Sequence, residues 1–393
     1  MPARFGQPRG ARPPRGADRG GALTDAAEAS ARVDGVDAAR GLALIGMFLA
    51  HAAPAAASVT GAELLAIADE RPRLLFALTA GIALGLISGG IRPIPAAPGF
   101  GGGPARARLR RQITIRALLL IALGLGITFG LAPLVFVILD VYGVAFLVLL
   151  PLLFLPRGVA LGVGIAGAAL APGIAVAVSR MPWVAEARLA GWGLPVDWFF
   201  AGAYPVIEWV PVMLVGIALA RYGITRPRLL AWTALLGTLA AVVFLPPGVA
   251  LLRLGERQQT EVVLADEALR ALALGESLQV LGNVGVCALI VAAAVALTAP
   301  GILKAEGARR VAAAMLSPIT AMGAMPLTIY TAHLLVLAAS IRVENGYRTD
   351  DSWPLTIGLI LGSMVLAWCW RKWIGRGPLE QLLRWASGRT RPA

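Results

Sequence analysis

The chain has 393 residues, 58% of them hydrophobic and 15% charged, with a mean hydropathy of +0.75. Many windows pass the 18-residue threshold for a membrane span, which excludes a soluble globular protein, and the apolar runs are continuous, which excludes an alternating β-barrel. The formal net charge of +13 does not imply a nucleic-acid partner, because Lys and Arg gather in the N-terminal tail, at 92–111 and in the C-terminal tail, as the positive-inside rule requires.

The reading is an all-α, polytopic transmembrane bundle of about ten spans with both termini cytoplasmic. It is multi-pass in the cell's inner (plasma) membrane, with the lipid bilayer as its partner. Residues 1–32, rich in Arg, Gly, Pro and Ala, are expected to form a disordered basic cytoplasmic tail. The bundle occupies 33–376, and a second basic cytoplasmic tail follows at 377–393.

Spans are placed near 36–55, 72–91, 112–131, 133–155, 158–179, 203–220, 229–248, 278–299, 319–341 and 354–374. The first carries Arg40 near one end and His51 near the other. At about 100° per residue they share one face, about 16 Å apart along the axis. Asp34 or Asp37 can cap this helix.

The outer loop 52–71 holds Glu63, Asp69 and Glu70, and the second span carries Gly81, Gly85 and Gly89 as a face for close helix packing. Arg106, Arg108, Arg110 and Arg111 follow in a Gly- and Pro-rich loop, with Arg116 inside the next apolar run. The fourth span contains Asp140, and Glu208 lies in the outer third of the sixth. Residues 249–277 form the longest expected outer loop, with 264–274 read as a short surface helix. Tyr330 and His333 lie one turn apart in the ninth span.

All ten tryptophans fall near span ends or in short loops, including Trp198 and Trp209 on the outer side and Trp368 and Trp373 on the inner. The cysteines, Cys287 and Cys369, lie in different spans and imply no disulfide framework. The sequence contains no internal repeat, P-loop, nucleophile elbow or metal-ligand cluster.

Both histidines are placed in spans. Imidazole suits proton transfer and can accept an acyl group, and a carboxylate such as Asp140 or Glu208 could orient it. The same carboxylates could instead pair with Arg40 or Arg116. The arginines at 106–116 form either an ordinary positive-inside loop or a site for the phosphates of an acyl-CoA.

Asp37-Ala38-Ala39-Arg40-Gly41-Leu42-Ala43-Leu44, running on to His51, resembles the opening span of bacterial transmembrane acyltransferases. Those are the heparan-alpha-glucosaminide N-acetyltransferase catalytic-domain family and the large family that O-acetylates surface sugars. Arg73 to Gly81 looks like the former's second span. Gly323 to His333 and Gly377-Pro378-Leu379-Glu380 with Arg384 are similar to the two signatures of the YeiB-type domain.

The resemblance implies an acyltransferase-like part at 33–240 and a YeiB-like part at 270–386. It also implies transfer of an acyl or acetyl group from cytoplasmic acyl-CoA to a small-molecule or glycan acceptor, a sugar or cell-envelope component. The donor would dock at Arg110, Arg111 and Arg116. His51 would be base or transient acyl acceptor, with Arg40, His333, Tyr330, Asp140 and Glu208 around it, and no metal is called for. In the sugar acetyltransferase the reactive histidine follows the first span, whereas His51 closes it. A proton-coupled transporter or exporter of a small molecule or lipid is the rival reading.

Overall fold

The computed structural model describes residues 33–55, 61, 71–99, 101–260, 265–302 and 305–388. The expected tail 1–32 and the acidic side chains Glu63, Asp69 and Glu70 lie outside them. In chain order the main helices are α1 (Asp34–Ala52), α2 (Arg71–Ile87), α3 (Pro104–Leu131), α4 (Leu139–Leu152), α5 (Arg157–Ser179) and α6 (Val206–Tyr222). Then come α7 (Pro227–Thr260), α8 (Ala265–Thr298), α9 (Glu306–Ala324), α10 (Pro326–Ala339), α11 (Trp353–Trp373) and α12 (Pro378–Ala386). Short helical turns at 182–201 lead into α6, and the only strands among the described residues pair Arg342–Glu344 with Tyr347–Thr349. Asn345 and Gly346 turn that hairpin with φ of 52° and 83°, the left-handed conformations a two-residue type I′ turn needs.

Among the described residues six helices are long and apolar enough to cross a membrane: α3, α5, the stretch Pro182–Tyr222, α7, α8 and α11. The pair α9 and α10, bent by 78°, makes a seventh if it counts as one span. α2 and α4, with 17 and 14 residues, are short for a membrane span, and α1 carries Asp34, Asp37 and Arg40. These three helices are nonetheless richly buried.

The expected loop at 249–277 is instead helical at both ends. α7 runs on to Thr260 and α8 begins at Ala265, so the two 34-residue helices make one long antiparallel pair. The charges at Arg253, Glu256, Arg257, Asp266 and Glu267 read as a loop in sequence. The continuation packs closely all the same, with Gly255 seated against Leu272 and Gly275 against Leu252. Within the expected C-terminal tail, 378–386 folds as α12.

Helices in lipid gain little from burying apolar surface against one another, so small residues that permit close approach decide the packing. The expected glycine face of α2 does this: a Cβ on Gly81 would strike the Met213 carbonyl of α6, and one on Gly216 the Leu78 carbonyl of α2. α6 is buried along almost its whole length, with Trp209 fully enclosed against Tyr142 and Tyr204. Trp209 is thus a core residue, not a member of the interfacial belt.

The outer helices α7 and α11 expose Leu235, Leu239 and Val242, and Leu361 and Val365, as lipid-facing residues. At Gly323 a Cβ would collide with the Asp37 carbonyl of α1. Gly323→Ala should therefore destabilise the protein by about 1–3 kcal/mol, read as a lower melting temperature in detergent; an unchanged melt would show that the α1–α9 crossing can relax.

Candidate functional site

His51 lies in the last turn of α1 and His333 midway along α10. His51 Nδ1 is 3.2 Å from His333 Nε2, and the rings are within 17° of parallel. His333 is 1% exposed, enclosed by Phe48 and by the Tyr330 ring, which meets it edge-on at 4.7 Å.

The far nitrogen of His333, Nδ1, sits 2.5 Å from the Tyr330 backbone carbonyl. A carbonyl can only accept, so that Nδ1 carries hydrogen. With both rings neutral, His333 Nε2 is then a lone-pair acceptor and His51 Nδ1 must donate to it. This leaves His51 Nε2 with its lone pair unused. The nitrogen available for chemistry follows from one backbone carbonyl two links away.

His51 lines a small cavity of about 70 Å³, together with Met47, Ala50, Pro72, Arg73, Ile138, Tyr204 and Tyr330. The Tyr330 hydroxyl accepts from the Ile138 backbone N–H at 3.1 Å, which ties α10 to the start of α4. Beyond His51, the Ala52 carbonyl accepts from Ser352 N at 2.8 Å, so the segment after the hairpin closes the end of α1.

Asp140 Oδ2 accepts from the Trp198 indole at 2.8 Å, and Glu208 lies 3.8 Å from Arg73, whose guanidinium also donates to the Ala203 carbonyl. The group at His333 Nδ1 is the Tyr330 main-chain carbonyl; an orienting carboxylate was one of the two alternatives left open by the sequence. Arg73 and Tyr204 are site residues that the sequence reading did not single out, although Arg73 opens the stretch to Gly81 that carries the second-span resemblance; it is the third residue of α2.

Arg40 is absent from the cavity lining. Nη1 donates to Asp37 Oδ1 and to the Gly323 carbonyl, both at 3.0 Å, and Nη2 to the Thr79 carbonyl at 3.3 Å. It therefore clamps α1 to α2 and to the last turn of α9, where a cation suits the negative end of the helix.

The start of α10, after the break, is served by the opposite charge. Glu380 of α12 accepts from Leu327 N at 2.7 Å, Thr328 N at 3.1 Å and the Thr328 hydroxyl at 2.5 Å. Leu379 N donates back to that hydroxyl, and Gly377 leaves room beside Met325. The two C-terminal signatures thus form one joint that caps the helix bearing Tyr330 and His333. Glu380→Ala should cost about 1–2 kcal/mol of stability by loss of this cap, with Glu380→Gln costing less because its carbonyl oxygen can still accept. Equal melting temperatures for all three proteins would refute the capping role.

None of the three arginines assigned to a donor lines the His51 cavity. Arg110 donates to the Leu150 and Gly101 carbonyls and lies over the Phe154 ring, Arg111 is exposed, and Arg116 is half-buried on α3. No group of three or more His, Cys, Asp or Glu residues able to hold a metal ion occurs among the described residues.

Searches among curated proteins and among solved structures return no match. The family model described as heparan-alpha-glucosaminide N-acetyltransferase, catalytic, matches residues 32–246. That match runs from α1, with His51, into α7, and leaves His333, Tyr330 and Glu380 beyond its end. More than half the chain is covered, and it belongs to the heparan-alpha-glucosaminide N-acetyltransferase catalytic-domain family.

Proposed function

We propose that this protein transfers an acyl group, with acetyl as the first case, from cytoplasmic acyl-CoA to an acceptor at the opposite membrane face. The acceptor is a sugar or another cell-envelope component. The observation that carries the reading is a cavity-lining imidazole, His51, whose Nδ1 is hydrogen-bonded to a second imidazole so that its Nε2 lone pair is left for chemistry. The family match supports the reaction class.

His51 Nε2 acts either as base toward the acceptor's O–H or N–H, or as the atom that takes the acyl group first. In the first case the acceptor's O or N bonds to the thioester carbonyl carbon as the C–S bond breaks and coenzyme A leaves as thiolate. The proton gained at Nε2 is matched by movement of the Nδ1 proton onto His333 Nε2. The positive charge then passes to the ring anchored on the Tyr330 carbonyl. In the second case the donor's thioester C–S bond breaks as the C–N bond forms, and the acceptor later displaces His51 as its own proton leaves.

The cavity of about 70 Å³ has room for about two waters' volume. It suits an acetyl group and requires the acceptor and the rest of the donor to approach from outside. Arg110, Arg111 and Arg116 are proposed to meet the donor's phosphates at the other end of the bundle, with Tyr330, Asp140, Glu208 and Arg40 as the supporting frame. The proposed topology keeps ten spans, by counting α1, α2 and α4 with the longer helices, and sets both termini in the cytoplasm of a plasma-membrane protein. The parts are an acyltransferase-like 33–240 and a YeiB-like 270–386.

The test is incubation of the purified protein in lipid with acetyl-labelled acetyl-CoA and a panel of amino and hydroxyl sugars. Label transferred to an acceptor, or retained on the protein at His51, is the expected result. Uptake or efflux that follows a proton gradient without consumption of acyl-CoA would overturn the proposal.

A further inference from the structure

A second cavity, of about 310 Å³, lies at the end of α1 remote from His51. Asp34 at the start of α1, Ser317 and Thr320 on α9, and Trp368, Arg371 and Lys372 at the end of α11 line it. We propose that this cavity binds the phosphodiester headgroup of a membrane phospholipid whose headgroup carries a hydrogen-bond donor beyond the phosphate. The site is separate from the acyl-transfer reading and stands or falls without it.

Charge is the first argument. Two cations and one carboxylate leave a single net positive charge, which matches the one negative charge of a phosphodiester. The several charges of a nucleotide or coenzyme A phosphate would be poorly compensated. Arg371 is only loosely engaged by the protein, 3.5 Å from both the Asp34 carboxylate and the Thr320 carbonyl. A charge-assisted bond to phosphate closes to about 2.7–2.9 Å, so the guanidinium has stronger bonding in hand.

Depth is the second argument. Lys372 holds its ammonium over the Trp368 ring at 4.9 Å and near Trp373 at 5.9 Å, and tryptophan collects at the headgroup level of a bilayer. Along the same face of α11, at helical spacing from Trp368, the exposed residues Val365, Leu361 and Ile357 run deeper. They form an apolar strip on which acyl chains can lie below a phosphate held at the cavity.

Asp34 supplies the third argument. Its carboxylate is largely exposed and can accept from an ethanolamine ammonium or a glycerol hydroxyl, whereas choline offers no such donor.

The experiment is native mass spectrometry of the full-length protein in detergent, exposed in turn to phosphatidylglycerol, phosphatidylethanolamine and phosphatidylcholine. One bound phosphatidylglycerol or phosphatidylethanolamine is expected, with about tenfold preference over phosphatidylcholine. Asp34→Ala should bring the preference to parity, whereas Arg371→Gln/Lys372→Gln should weaken retention of all three lipids.

Should that double variant fail to fold, Lys372→Gln alone must weaken retention, and Ser317→Leu, which fills the cavity, must abolish it. Equal retention of all three lipids by the wild type, a preference that survives Asp34→Ala, or retention that survives the changes at Lys372 and Ser317, would overturn the proposal. Displacement of the bound lipid by soluble coenzyme A would overturn it too, by assigning the cavity to a soluble phosphate.

Discussion

Replacing His51 by alanine should lower acyl transfer by about 10²–10⁴-fold, the usual contribution of a positioned acid–base group. The ring lines the cavity and gives one N–H to His333, so alanine removes both the proposed reacting nitrogen and its link to the second ring. Folding should survive, because the end of α1 remains tied by the Ala52 carbonyl to Ser352 N.

His333→Gln should reduce the rate by a smaller factor. The amide can still accept from His51 Nδ1, but it cannot take up the proton and hold the charge that the His333 ring carries beside the Tyr330 carbonyl. Rates would be taken from label transfer, with thermal melts as the control for folding. Added imidazole should restore part of the His51→Ala activity by entering the vacated space. A wild-type rate in His51→Ala would remove this residue from the chemistry altogether.

The second large effect is structural. Arg40→Ala should destabilise the protein by about 3–5 kcal/mol, the usual result of stripping one partner from a buried ion pair. The Arg40 side chain is 12% exposed and that of its partner Asp37 7%, and the change leaves the carboxylate and the Gly323 and Thr79 carbonyls without this donor.

Arg40→Lys should recover little of the loss. A single ammonium cannot span three acceptors on three helices as a planar guanidinium does. The measurement is the melting temperature and the yield of folded protein in detergent. If Arg40→Lys melts like the wild type, the clamp is not what joins α1, α2 and α9.

These outcomes separate two residues that the sequence placed together. Arg40 and His51 share a helix face and a family motif, and both were assigned to the reaction. The helix carries them to opposite ends, where one holds a packing joint and the other faces a cavity. Glu380 runs the other way. Its motif was visible, but its function as a cap on α10 depends on the reversal of the chain after α11, which no local pattern encodes.

The long pair α7 and α8 was misread for a related reason. Its charged stretch reads as loop by composition and becomes helix because the two helices pack glycine against side chain. Trp209 was placed at the interface because tryptophans favour it, and aromatic packing against Tyr142 and Tyr204 took it into the core.

Apolar run length, charge placement and glycine spacing are local properties, and by themselves they determined a helical membrane bundle and the α2 face that packs on α6. The two histidines were also legible as the only imidazoles in a chain of 393 residues. Only the tertiary structure decided that rings 282 positions apart meet at 3.2 Å, and that a carbonyl of the same helix turn fixes which nitrogen is left bare. The physical reason is that hydrogen-bond direction and close backbone approach depend on how helices cross. A crossing is settled by packing among residues from distant parts of the chain.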